Sequence, residues 1–303
     1  MQIDWTGIYP AVTTKFTHDD ELDLNMFGLN LDAQLAAGVN GIILGGTLGE
    51  SSTLTNSEKD RLLEFALEKA AGRVPVILNI AEGATRDAIA AARRAETLGA
   101  NGLMVLPPMR YKTDHHETVT WFRAIADTTP LPIMIYNNPV DYKTEVTLPM
   151  FEELLEHPHI KAVKESTRDV SNVTRLRNSF GDRLKILCGV DTLAMEELLM
   201  GADGWVAGLV CAFPVETVAV YNLVKADWID EALTIYRWFL PLLELDIHPK
   251  LVQYIKMAEQ MCGIGTEYVR APRQRLEGEE RERIIRIIHN GLHTRPDLPV
   301  LVI

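Results

Sequence analysis

The sequence predicts an α/β fold, a parallel (β/α)8 TIM barrel followed by a C-terminal helical appendage. Three observations predict it. Short apolar runs rich in Val, Ile and Leu recur along the chain, each is followed by a longer stretch with helical apolar spacing, and the alternation stops after about residue 226. Continuous apolar runs mark strands buried on both faces, and the helical stretches between them make right-handed crossovers that leave the strands parallel. Eight such units close most simply into a barrel.

The runs, in order, are GIYPAVT (7–13), GIILGG (41–46), VPVILNI (74–80), GLMVLPP (102–108), PIMIYNNP (132–139), IKAVKES (160–166), LKILCGV (184–190) and GWVAGLV (204–210). A faint repeat supports the reading: AAGVNGIILGG, LGANGLMVLPP and MGADGWVAGLV each end a helix with a glycine, turn, and begin a strand. Glycine tolerates the left-handed conformation that stops a helix, and Asn or Asp before Gly suits a tight turn. Beyond the barrel (1–226), residues 227–303 read as helical, near 228–243, 249–262 and 278–290, with His248-Pro249 separating the first two. An open doubly wound sheet is the rival, but the GxGxxG turn that such sheets carry after the first strand is absent.

Composition narrows the function. With 303 residues and 47% hydrophobic content, the chain can bury a large core without disulfides or structural metal. A net charge of −12 argues against nucleic acid or an anionic membrane as the main partner. Cys188, Cys211 and Cys262 are too scattered for a disulfide framework or a metal cluster. No run reaches membrane-spanning length and MQIDWTGIYP lacks a secretion pattern, so a cytoplasmic location is expected.

In such barrels the active site lies at the C-terminal ends of the strands. Polar residues ending apolar runs are therefore the candidates: Thr13, Thr14, Thr47, Glu50, Tyr136, Asn137, Asn138, Lys164, Glu165, Ser166 and Asp191. Lys164 ends IKAVK, where a lysine is poorly tolerated unless something uses it. Burying an ammonium group costs hydration and favours the neutral amine, a nucleophile toward carbonyl and imine carbons. The plainer reading is an ion pair with Glu165 at the rim. Tyr136 ends the preceding strand, so its phenol should stand beside that amine and can move protons there; alternatively its ring fills the core with the hydroxyl at the edge. GGTLGES (45–51), including Gly46 and Thr47, offers consecutive backbone N–H groups and a hydroxyl that can hold a carboxylate, or it merely turns the chain. His115 and His116 read as a solvated helix start, Asp19 and Asp20 as a loop, and ERERIIR as a charged helix face.

These residues resemble the dihydrodipicolinate synthase and N-acetylneuraminate lyase superfamily. The matching pieces are GTLGES (46–51), YNNP (136–139), VKES (163–166), GVD (189–191), GADGWVAG (201–208) and VRAPRQRL (269–276), in order over nearly the whole chain. The resemblance implies a homotetrameric barrel enzyme needing no metal or organic cofactor. It carries the Schiff-base role onto Lys164, proton transfer onto Tyr136 and carboxylate binding onto Thr47 with the backbone around Gly46 and Leu48. Ser166, Gly189, Asp191 and Val206 become expected substrate-pocket residues.

The departures matter as much. Leu48 stands where synthases and sialic acid lyases have a second hydroxyl, and Asp141 stands where the synthases place an arginine, which argues against lysine biosynthesis. Met109 aligns with a relay tyrosine supplied by a neighbouring subunit, with Tyr111 as a possible substitute. The expected substrate is a small 2-oxo or cyclic 2-imino acid, and the pattern looks most like the Δ1-pyrroline-4-hydroxy-2-carboxylate deaminases. A pyruvate-type aldolase or lyase and a non-enzymatic small-acid-binding barrel are the alternatives.

Overall fold

Each of the eight apolar runs forms a strand in the computed structural model, which describes residues 2–108 and 110–299. The strands are β1 (Gly7–Pro10), β2 (Ile42–Leu44), β3 (Val76–Ile80), β4 (Gly102–Val105), β5 (Ile133–Asn137), β6 (Ile160–Glu165), β7 (Lys185–Cys188) and β8 (Gly204–Ala207). They lie in the order β1-β8-β7-β6-β5-β4-β3-β2, with every adjacent pair parallel. An Ala11–Ile43 bridge and a 3.0 Å bond from Val12 N–H to the Ile43 carbonyl join the two ends of this row, closing the barrel. Burial on both sides explains the unbroken apolar runs. Among strand residues only Lys161 is exposed and only Lys185 is half-buried. The strands are shorter than the runs, and most runs end in the loop that follows, as Leu106-Pro107-Pro108 does after β4.

The repeated Asx-Gly segments lie at the closed end of the barrel, and each residue in them has its own reason. Gly38, Gly99 and Gly201 end their helices at φ of 86°, 89° and 102°, the left-handed region glycine favours. Asn40 accepts from Ile8 N–H (2.9 Å), Asn101 from Val76 N–H (2.8 Å) and Asp203 from Ile186 N–H (2.9 Å). The polar side chain thus ties its own loop to the start of the neighbouring strand, a role beyond the tight turn expected from sequence. The glycine after it is required by space: a Cβ at Gly204 would sit 2.5 Å from the Gly7 carbonyl oxygen, and one at Gly41 2.2 Å from the Tyr9 ring.

After residue 226 the regular elements among the described residues are all helices, with Ile229–Leu243, Leu251–Met261 and Gly278–His293 the longest. They are less of an appendage than the sequence implied. Lys256 and Glu259, both fully buried, reach from Leu251–Met261 to the loops after β2 and β1, where Lys256 pairs with Glu50 and Glu259 with Lys15 at 3.0 Å. Among the described residues no helix is long and apolar enough to cross a membrane. All three cysteines are free.

Candidate active site

Tyr136 and Lys164 are direct register partners on β5 and β6. Their side chains leave the sheet on the same face, and Lys164 Nζ lies 4.1 Å from the centre of the Tyr136 ring. Both are buried. The residue just after β7 makes room for the amine: a Cβ at Gly189 would sit 2.7 Å from Lys164 Cε and 2.1 Å from Ser166 Oγ. The Ser166 hydroxyl is buried in the same corner and has no hydrogen-bond partner among the described residues.

The ion pair between Lys164 and Glu165 does not form. Adjacent strand residues point to opposite faces, so Glu165 turns into the helix layer and accepts from Thr167 N–H (2.8 Å) and Asn172 Nδ2 (2.9 Å). Burial there raises the carboxyl above its ordinary range, and those same bonds oppose the shift.

The loop after β2 is a tight turn that leaves backbone N–H donors open. Gly45 takes φ of 68° and Glu50 φ of 51°; Gly46 carries no such demand, because a Cβ there would meet open space. The N–H groups of Thr47, Leu48 and Gly49 have no acceptor among the described residues. Glu50, counted among the candidates for chemistry, works underneath the loop: it pairs with Lys256 and accepts from Arg270 N–H at 3.1 Å. Thr14 donates to the Gly49 carbonyl at 2.7 Å, and Thr13 is tied to Glu259 at 2.7 Å. These three hold the mouth in shape from behind.

Tyr142 was not found by sequence reasoning. Its hydroxyl lies 2.7 Å from Thr47 Oγ1, and its ring packs edge-on against Tyr136 with centroids 5.6 Å apart. The local signal was legible, since Asn138 caps and Pro139 opens a single helical turn, Pro139–Tyr142, which folds residue 142 back over 138. Burial, and next the adjacent Tyr136, push the Tyr142 phenol upward, so it stays protonated at neutral pH. Tyr111 does not take this position: it is exposed and donates to Glu117 at 3.1 Å. Met109 lies outside the described residues.

Asn138 links Tyr136 to the rim, donating to the phenol oxygen at 3.2 Å and to Asp141 at 2.7 Å. Asp141 faces a cation after all. Arg168, held at φ of 64° in the loop after β6, brings its guanidinium within 3.9 Å of Asp141. The charge missing after YNNP thus arrives from another loop.

Asp191 is fully buried and both its oxygens are engaged by the protein. They accept from Trp205 Nε1 (2.9 Å), Gly208 N–H (3.1 and 3.2 Å) and Leu209 N–H (2.7 Å), bracing the loop after β8. Val206 is buried within β8, and Leu48 lies against Gly208. Asp246, a second group missed in the sequence, enters the mouth from the turn Glu244–Ile247 and also lies against Gly208. Among the described residues no three His, Cys, Asp or Glu side chains form a metal-ligand group. The assembled groups are those of covalent amine chemistry: a lysine with phenols beside it, an orphan hydroxyl and a set of open N–H donors.

Comparison with known proteins agrees with this geometry. Residues 4–290 match the model of the dihydrodipicolinate synthetase family. A 4-hydroxy-tetrahydrodipicolinate synthase of Exiguobacterium sibiricum is 35% identical over 269 residues, covering 88% of this chain and 91% of that protein. The dihydrodipicolinate synthase structure from Bacillus anthracis superposes with a TM-score of 0.92 at 26% identity, covering 98% of this chain and all of that one. The chloride-inhibited synthase from Acinetobacter baumannii, complexed with pyruvate, gives a TM-score of 0.89 at 25% identity, covering 94% and 98%. The chain therefore belongs to the dihydrodipicolinate synthetase family, a family of lyases.

Proposed function

We propose that this member of the dihydrodipicolinate synthetase family is a Schiff-base deaminase acting on a small cyclic 2-imino acid, Δ1-pyrroline-4-hydroxy-2-carboxylate being the substrate that best suits the residues. The observation that carries the reading is the buried amine of Lys164, 4.1 Å from the Tyr136 ring and without a carboxylate partner among the described residues. The open N–H groups of Thr47 and Leu48 and the free hydroxyl of Ser166 are available to the substrate carboxylate.

In this reading Lys164 attacks C2 of the ring imine, and ring opening leaves a Schiff base on the lysine with a free amine at C5. Loss of a C3 proton gives an enamine that expels the 4-hydroxyl as water. A further proton shift places an imine at C5, and hydrolysis at C5 and C2 releases ammonia, 2-oxoglutarate semialdehyde and free Lys164. Tyr136 moves protons at the lysine nitrogen, and Tyr142 with Thr47 connects that phenol toward the mouth. The iminium carbon serves as the electron sink. A homotetramer of such barrels is part of the same proposal.

A second reading is the activity its relatives are named for, 4-hydroxy-tetrahydrodipicolinate synthase. Arg168 beside Asp141 favours it, because a cation at that corner can hold the second carboxylate of a larger substrate. Borohydride reduction in the presence of substrate tests the shared step: mass should be added at Lys164, and Lys164→Ala should lose turnover by at least on the order of 10⁴-fold while keeping its melting temperature. An active preparation whose Lys164 stays unmodified would refute the mechanism. Ammonia released from the cyclic imine supports the deaminase; condensation of pyruvate with aspartate semialdehyde supports the synthase. Pyruvate release without ammonia would mark an aldolase.

A further inference from the structure

The turn Glu244–Ile247 delivers a carboxyl group to the barrel mouth from outside the barrel. Asp246 Oδ1 lies 2.2 Å from where a Cβ of residue 208 would sit, and Leu48 Cδ1 lies 3.0 Å from the same point. Only glycine at 208 leaves the carboxyl this position. The Asp246 side chain is part-buried and makes no hydrogen bond or ion pair among the described residues, although charged groups surround it. Those groups are Asp191 on the turn after β7, Lys164 on β6 and Asp141 on the turn after β5. Asp191 differs sharply, since its two oxygens are taken up by Trp205, Gly208 and Leu209. Among the described residues Asp246 is thus a carboxyl at this end of the barrel left free to meet a ligand.

We propose that Asp246, in its protonated form, is the general acid that delivers a proton to the departing hydroxyl of the substrate, an inference that rests on the deaminase reading above. In the step, the lone pair of the Lys164 enamine nitrogen becomes the C=N π bond. The C2=C3 pair moves to C3=C4, and the C4–O bond breaks with its electrons on oxygen. That oxygen takes the Asp246 proton and leaves as water. Asp246 is left as a carboxylate and regains a proton from solvent before the next turnover.

Burial, and next the Asp191 carboxylate, hold the Asp246 carboxyl well above the usual carboxylate range, with the Lys164 charge opposing them. Both influences favour the protonated carboxyl. That state also bears on reaction type. A retro-aldol cleavage needs a base to take the proton from the same hydroxyl, and a carboxyl already holding a proton cannot be that base. Asp246 steers the Lys164 adduct toward elimination.

Asp246→Asn keeps the volume and removes the acid. With the cyclic 4-hydroxy imino acid as probe, borohydride should still add substrate mass at Lys164 in the variant. Ammonia release should fall on the order of 10²–10³-fold. Wild-type turnover should drop on the alkaline side as Asp246 ionises, and the residual turnover of the variant should lack that limb; Asp246→Glu should restore part of the rate. Ammonia release at the wild-type rate with an unchanged pH profile would overturn the role of Asp246 and leave the deaminase standing. Failure of the variant to trap substrate at all would make Asp246 a support for the site and overturn its role as acid. Wild-type protein that traps substrate yet releases no ammonia would instead overturn the deaminase reading.

Discussion

The two ends of this barrel treat polar side chains in opposite ways. At the closed end Asn40, Asn101 and Asp203 each accept from the first N–H groups of a neighbouring strand, and Asp203 also pairs with Arg177 at 2.6 Å and Lys185 at 3.1 Å. At the open end the Ser166 hydroxyl, the N–H groups of Thr47 to Gly49 and the Asp246 carboxyl have no protein partner among the described residues. A buried polar group left unpaired costs about 1–3 kcal/mol. At the open end a ligand can supply the missing partners, although buried unpaired atoms also occur away from it, the Trp5 Nε1 and Tyr9 hydroxyl among them. Within the open end a second division holds: Glu50 and Asp191, which are saturated, shape the loops, while Lys164, Ser166 and Asp246 face the opening.

The largest break in this contrast should come from an open-end brace. Lys256→Met leaves the Glu50 carboxylate buried without its ammonium, which should cost about 3–5 kcal/mol in denaturant unfolding. Because the Glu50 loop offers the free N–H groups, KM should rise as well. An unchanged unfolding midpoint would show that Lys256 and Glu50 do not brace the mouth.

Tyr142→Phe should act in the reverse sense. Removing the hydroxyl that meets Thr47 should lower turnover on the order of 10²-fold, about 2.7 kcal/mol in barrier, with little change in stability. Equal turnover by variant and parent would remove Tyr142 from the proton route. The smallest effect belongs to the closed end: Asn101→Ala should cost about 1–2 kcal/mol of stability by freeing the Val76 N–H, and Lys164 trapping should be untouched. Lost trapping in that variant would mean the two ends are coupled.

How far the molecule was legible differs between these groups for a physical reason. Lys164 and Tyr136 were readable because strand ends in a parallel barrel point to one place, so a lysine and a tyrosine ending successive apolar runs must meet. Gly46 and Thr47 were readable as part of a turn, although the strained glycine proved to be Gly45. Glu50 looked like a candidate for chemistry because it follows a strand; a lysine 206 residues away made it a brace. Arg168 was not connected with Asp141 because two separate loops bring them together. Tyr142 and Asp246 were passed over, since neither ends a strand.

Local pattern alone determined the eight strands, the helices between them and the end of the barrel at which Lys164 and Tyr136 meet, because burial on two faces and the 3.6-residue repeat are written in nearest neighbours. Register, loop approach and the packing of the last helices decided the rest. Whether a carboxylate such as Glu50, Asp191 or Asp246 is spent on the protein or left open to a substrate depends on groups distant in the chain, and only folding brings those groups within reach.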